Sequence, residues 1–169
     1  IADVHVATWR AAYPGMLPDR VLLGLSPERE RAYWRHAIAT QGCVGFVHVA
    51  EDESGGIAGY GSAGPARASG LGFAGEVYTL YVAPDHQGRG LGRGLLHAMF
   101  ARLRREGRNS ALIWVLAANP ARYFYHAMGG MPAAQRRERH FGALLDEAAY
   151  GWADLSAVSG ARERAKRHV

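Results

Sequence analysis

The densest chemistry in the chain lies in Pro84-Asp85-His86-Gln87-Gly88-Arg89-Gly90-Leu91-Gly92-Arg93-Gly94. Glycines at 88, 90 and 92 let the backbone turn sharply and leave N–H groups that no Cβ shields. A strand pattern precedes this segment and a helical pattern follows it. The N–H groups therefore fall at a helix start, where unpaired donors and the positive end of the helix dipole attract an anion. Arg89 and Arg93 add positive charge. Binding of a phosphate or pyrophosphate is the chemistry indicated, with a ligand-free glycine-rich connection as the competing reading. Two familiar phosphate loops fail on spacing. A nucleotide-hydrolysing loop requires Gly-x-x-x-x-Gly-Lys-Ser/Thr, and neither the lysine nor the hydroxyl is there. The dinucleotide fingerprint requires Gly-x-Gly-x-x-Gly, whereas these glycines alternate at 88, 90, 92 and 94. No acidic residue closes the next strand to hold a ribose.

Other reactive side chains are fewer. Glu76 shares a strand face with Tyr78, Leu80 and Val82, and a carboxylate in so apolar a strand is either a proton acceptor or a paired structural group. Cys43, the only cysteine, sits in a Val-rich run and reads as a small buried hydrophobe rather than a nucleophile. It excludes an internal disulfide and a cysteine-rich zinc site. The eight histidines show no metal-ligand spacing, so no metal is expected.

The elements that must position these residues follow from periodicity. Helical patterns cover Val4 to Tyr13, stopped by Pro14-Gly15, and a short turn within Leu17 to Leu25. A further helix is introduced by Ser26-Pro27-Glu28 as N-cap, first-turn proline and acid. It is expected to turn Ala32, Tyr33, Ala37 and Ile38 inward and to stop near Thr40 and Gly42. Strand patterns run from Cys43 to Ala50, Ile57 to Gly64 and Phe73 to Val82, the first two joined by a polar turn over Glu51 to Gly56. A helix from Gly90 to Glu106 carries Leu91, Leu95, Ala98, Met99 and Leu103 on one face and ends at Gly107. Ala111 to Leu116 reads as a buried strand and Pro120 to Met128 as a helix stopped by Gly129-Gly130. Ala134 to Phe141 and Leu144 to Ala153 read as two further strands. The order, written ααββββαβαββ, implies a single mixed α/β layer structure over residues 1–155.

Composition bounds the function. The chain of 169 residues, 49% hydrophobic and 21% charged, suits one globular domain. Nothing is apolar for long enough to span a bilayer, and the first residues carry no signal-like core, so a cytoplasmic protein is expected. Of the net charge of +5, +3 falls in the last ten residues. Residues 156–169 read as a solvated basic tail rather than a nucleic-acid arm. A mildly basic body suits a polyanionic cofactor.

Gln87-x-x-Gly90-x-Gly92 resembles the acetyl-CoA loop of the GNAT superfamily of N-acyltransferases, whose pattern is Gln/Arg-x-x-Gly-x-Gly/Ala. Glu76 to Pro84 looks like the strand before that loop, and Asn119, Phe124-Tyr125 and Gly129 look like the segment that closes the site. Trp9-Arg10-Ala11-Ala12-Tyr13-Pro14-Gly15 and Ala149-Tyr150-Gly151-Trp152 are similar as well. Two departures stand out: the family's first strand is missing or lies before Ile1, and Gly130-Met131 replaces an aromatic residue. The resemblance implies a mostly antiparallel sheet flanked by helices and splayed between two parallel strands, Phe73–Val82 and Ala111–Leu116. The pantetheine arm of acetyl-CoA would pair with Leu80, Tyr81 and Val82, with the Val82 N–H facing the thioester oxygen. Gln87, Gly88, Arg89, Gly90, Leu91, Gly92 and Arg93 would hold the pyrophosphate, and Asn119 would touch the cofactor or cap its helix. Glu76 would serve as base and Tyr125 as acid for an amine attacking the thioester in a ternary complex. Trp9, Tyr13, Tyr33 and Trp34 would border the acceptor, a small-molecule or peptide amine. No nucleic acid or membrane partner is expected, and a homodimer is compatible. A non-catalytic acyl-CoA sensor is the alternative.

Overall fold

A computed structural model describes residues 1–40, 45–67 and 70–159. Cys43, Gly42 and most of the basic tail lie outside the described residues. Six strands form one sheet in the order β1-β2-β3-β4-β6-β5. They are β1 (Phe46–Glu51), β2 (Ile57–Pro65), β3 (Gly75–Val82), β4 (Ala111–Leu116), β5 (Met131–His140) and β6 (Ala143–Trp152). The helices are α1 (Ala2–Ala12), α2 (Asp19–Leu23), α3 (Pro27–Thr40), α4 (Leu91–Arg105), α5 (Ala121–Ala127) and α6 (Leu155–Ser159). Among the described residues three strands, not four, precede α4, three helices precede β1, and α6 is an element the sequence pattern does not announce.

All neighbouring strands run antiparallel except β3 and β4. Those two pair in parallel only from Gly75–Ala111 to Val77–Ile113, then separate while both strands continue. The mixed, mostly antiparallel sheet splayed between two parallel strands is thus present. The connection between β3 and β4 passes through α4, as parallel pairing requires a crossover.

Helices cover both faces. On one, Leu96, Met99, Phe100 and Leu103 of α4 pack with Val77, Ile113, Trp152 and Leu155. Gly61 of β2 lies close under α4, where a Cβ would fall 2.7 Å from Met99 Cε. On the other face, Ala2 and Val4 of α1 and Trp34 of α3 close over Tyr60 of β2. Here the expected inward face of α3 is corrected: Trp34 is 5% exposed and Ala37 is buried, while Tyr33 at 54% and Ile38 at 50% face solvent, as does Ala32. Only a narrow stripe of α3 touches the sheet and α1, so the broad apolar face suggested by its sequence is not used.

Local signals are honoured elsewhere. Ser26 Oγ accepts the Arg29 N–H at 3.3 Å, as the N-cap reading requires. Asp52 Oδ1 ties the β1–β2 turn by accepting the Ser54 and Gly56 N–H groups at 2.8 and 2.9 Å. Gly130, in place of an aromatic residue, makes room for the Trp152 indole, whose N–H donates to the Met128 carbonyl at 2.9 Å. A Cβ at 130 would sit 2.9 Å from both the Trp152 ring and the Tyr125 carbonyl oxygen.

Candidate active site

The gap between β3 and β4 opens into a cleft of about 1250 Å³. At one end lies the glycine-rich loop. After a single 3-10 turn at Pro84–His86, the chain passes through Gly88 at φ 75° and Gly90 at φ 83°, with Gly90 as N-cap of α4. Only glycine adopts such left-handed backbone cheaply, and no atom lies within 4 Å of where a Cβ would stand at either position. The Gly94 N–H donates to the Gly90 carbonyl at 3.0 Å, closing the first helical turn and leaving the N–H groups before it facing outward. Gln87 braces the loop, its Nε2 donating to the Val82 carbonyl at 3.0 Å. Gln87, Gly88, Gly90, Leu91, Gly92 and Arg93 all line the cleft; Arg89 does not.

Leu80, Tyr81 and Val82 form one wall. The Ala83 N–H donates to Ala58 of β2 at 2.8 Å, so strand alternation turns the Val82 N–H to the opposite edge, into the gap. Tyr125 of α5 is buried on the far wall. Burial raises its phenol above the ordinary tyrosine range, with the nearby Tyr13 adding to the effect. Asn119, one residue before the Pro120 N-cap, ties down the entry to α5, its Oδ1 accepting the Ala121 N–H at 2.8 Å.

Glu76 lines the cleft at 1% exposure. Of the two roles open to it, the structure supplies the partner for a paired group. Arg67 donates its backbone N–H to Oε2 at 2.8 Å, and its Nε and a terminal nitrogen to Oε1 at 3.1 and 2.5 Å. The guanidinium also lies over the Tyr78 ring, 4.4 Å from its centroid.

The other end of the cleft is roofed by α1 and the tip of the β5–β6 hairpin. Trp9 and Tyr13 line it, as expected of these early aromatics; Tyr33 and Trp34 do not. Trp9 meets Phe141 edge-on at 6.0 Å, and Arg20 of α2 donates to the Phe141 carbonyl at 2.5 Å. Tyr13 and Tyr81 bring their hydroxyls to 3.3 Å. On the floor, the Arg136 guanidinium lies 4.0 Å from the Trp114 ring centroid. Arg136 Nε donates to Glu147 Oε2 at 2.6 Å, and its Nη2 stands 2.9 Å from Glu138 Oε2. His140 Nε2 lies 3.4 Å from Glu147 Oε1. Glu138, His140 and Glu147 could also hold a metal ion by proximity, their ligand atoms falling within 4.8 Å of one another, but Arg136 already engages both carboxylates. Sequence reasoning missed this cluster, although Arg136, Glu138 and His140 alternate as one face of a strand must.

A gap between two diverging parallel strands thus runs to a glycine-rich helix start. The chain belongs to the GNAT superfamily of N-acetyltransferases. Residues 43–129 match the family model described as an acetyltransferase (GNAT) domain. Over 158 residues, 94% of this chain and 88% of the relative, it is 35% identical to an uncharacterized N-acetyltransferase, YuaI, of Bacillus subtilis strain 168. It is also 35% identical to the L-amino acid N-acyltransferase MnaT of Escherichia coli K12 over 107 residues, covering 61% of this chain and 62% of that one. The solved Salmonella typhimurium acetyltransferase yncA, with its cofactor acetyl-CoA, superposes with a TM-score of 0.62 at 28% identity, covering 91% of this chain and 86% of its own. Among the described residues no helix is long and apolar enough to cross a membrane.

Proposed function

We propose that the protein transfers an acetyl group from acetyl-CoA to the primary amine of a small, amino-acid-like acceptor. The observation that carries this reading is the gap beyond Val77 and Ile113, which runs from an open strand edge to the glycine cradle. The residues present fit the cofactor: Gly88 and Gly90 leave the space that a pyrophosphate needs, and the Val82 edge offers a strand's donors to a pantetheine amide. Acetyl-CoA supplies the thioester whose acetyl carbon the amine attacks.

The chain's own groups then divide the work. The N–H groups from Gly88 to Arg93 and the Arg93 charge bind the pyrophosphate, and Gln87 holds the loop against the end of β3. The amine adds as its neutral form, after its extra proton passes to solvent, and the Val82 N–H stabilises the oxyanion. Collapse breaks the C–S bond, the proton shed by the new amide nitrogen ending on the departing thiolate. Tyr125 keeps its proton at neutral pH and donates a hydrogen bond to the departing sulfur. Asn119 sets the start of α5 and thereby the position of Tyr125. We assign Glu76 to holding the cleft wall, because a proton-accepting role would require its pair with Arg67 to open. No cysteine or serine lines the cleft among the described residues, which favours direct attack over an acyl-enzyme. The names of relatives that acylate L-amino acids or acetylate L-methionine sulfoximine and sulfone support the choice of acceptor.

A panel of free amino acids and simple primary amines, with released coenzyme A thiol as readout, tests this function. Acetyl-CoA should bind with heat and raise the melting temperature, and at least one amino-acid-like amine should release thiol. No heat and no thermal shift at millimolar acetyl-CoA would overturn it.

A further inference from the structure

We propose that Glu147 receives the acceptor's ammonium group, in the arm of the cleft roofed by α1 and the β5–β6 hairpin. The inference rests on the acetyl-transfer reading above and deepens it by naming the charge that the acceptor must carry.

Position comes first. Glu147 lies on β6 directly opposite Leu116, the last residue of β4, and so stands where the splayed gap widens toward the acceptor arm. Its side chain is 12% exposed yet lines the cleft. Tyr13 faces the same region from α1: burial raises its phenol, and the charge of Glu147 is among the causes that raise it. Four groups of the roof and floor thus surround the carboxylate: Tyr13 from α1 and Arg136, Glu138 and His140 from β5.

Charge comes second. Arg136 occupies Oε2 at 2.6 Å, but among the described residues Oε1 has only His140 Nε2, at 3.4 Å. Two carboxylates, Glu138 and Glu147, share the Arg136 guanidinium, and the His140 imidazole stands 3.7 and 3.4 Å from them. A largely desolvated carboxylate with one uncommitted oxygen gains most from a cation that enters and hydrogen-bonds to it. Glu76 offers no such oxygen, since Arg67 engages both of its oxygens. The ring faces and edges of Trp9, Tyr13, Trp114 and Phe141 complete an aromatic enclosure that tolerates an ammonium and its apolar substituent. The opposite side of the hairpin carries its own closed pair, Arg137 with Asp146 at 2.6 Å, which does not reach the cleft.

Titration of the whole chain with n-butylammonium chloride and with n-butanol, followed by tryptophan fluorescence, reads this site without requiring turnover. The wild type should bind the ammonium at least tenfold more tightly than the alcohol. E147Q should lose that preference, E147D should keep part of it, and D146N on the outer side should leave it unchanged. In steady-state assays with the best amine from the panel, E147Q should raise KM for the amine at least tenfold and leave KM for acetyl-CoA unaltered. Should a stranded Arg136 unfold E147Q, the double variant R136M/E147Q removes both partners and carries the same test. Retention of the ammonium preference in a folded Glu147 variant, or its absence from the wild type, overturns the inference. Absence of acetyl-CoA binding would instead count against the acetyl-transfer reading itself.

Discussion

Tyr125 and Glu76 are both buried polar side chains on the cleft wall, yet their surroundings set them to different tasks. Burial holds the Tyr125 proton in place, so in the role proposed for it the phenol is a poor acid in the ground state and serves as a hydrogen-bond donor to the developing thiolate. Such a bond to a charged atom exists only in the transition state, and bonds to charged groups contribute about 1.5–3 kcal/mol. Tyr125→Phe should therefore lower kcat and kcat/KM together by roughly ten- to a hundredfold, with acetyl-CoA affinity unchanged by calorimetry. Full activity in that variant would return Tyr125 to packing beside Phe124. Glu76 presents the opposite case. Glu76→Gln places an amide before the Arg67 donors, so the melting temperature should fall while turnover drops less than tenfold. A loss of roughly 10²–10⁴ in turnover without loss of stability would make Glu76 the base, since that is the range for removed proton transfer.

At the scale of elements, what was legible in the sequence is what local chemistry decides alone. Ala111–Leu116 is found to the residue, because a short run of branched and aromatic residues opened by Asn109-Ser110 admits few alternatives. The glycine loop is equally plain, since its left-handed turns restrict residue type. α3 departs from its pattern by phase: its buried residues are Trp34 and Ala37, and periodicity cannot tell which of two apolar stripes meets the sheet. The partner of Glu76 was hidden for a related reason. Arg67 lies nine residues upstream in an irregular segment, where no period relates one side chain to another. The hairpin cluster had a period but needed a register: β5 and β6 bring Arg136 opposite Glu147, and one residue of slip would send that face outward. Half of the site is thus written in motifs and half in pairings between strands distant from them.

At the scale of the whole molecule, the proposed acceptor arm depends on a helix that packs on the sheet through a buried cluster. α1 and its C-cap supply Trp9 and Tyr13 to the cleft, while its first turns hold to the sheet through Ala2, Val4 and His5. His5 Nδ1 and the Tyr60 hydroxyl share a hydrogen bond of 2.7 Å, and the imidazole stacks on Trp9 at 4.8 Å. Burial lowers the pKa of His5 from 6.5 to about 4. The folded imidazole therefore stays neutral where the unfolded one takes up a proton. Between pH 6.5 and about 4 the unfolded state binds more protons, so stability is full above this window and declines as pH falls through it. The slope from one such group cannot exceed about 1.4 kcal/mol per pH unit. Glu30, 3.9 Å away and itself raised by burial, titrates nearby, so the contribution of His5 is read by substitution. His5→Gln should lower the urea midpoint at pH 7.5, because the bond to Tyr60 is weakened, but should flatten the decline between pH 6.5 and 4.5 relative to wild type. Acceptor turnover in the wild type should fail in the same window before cofactor binding does, since α1 borders the acceptor arm and the glycine cradle belongs to α4. Parallel pH profiles of the two midpoints would remove His5 from this role and leave the acid sensitivity to the carboxylates.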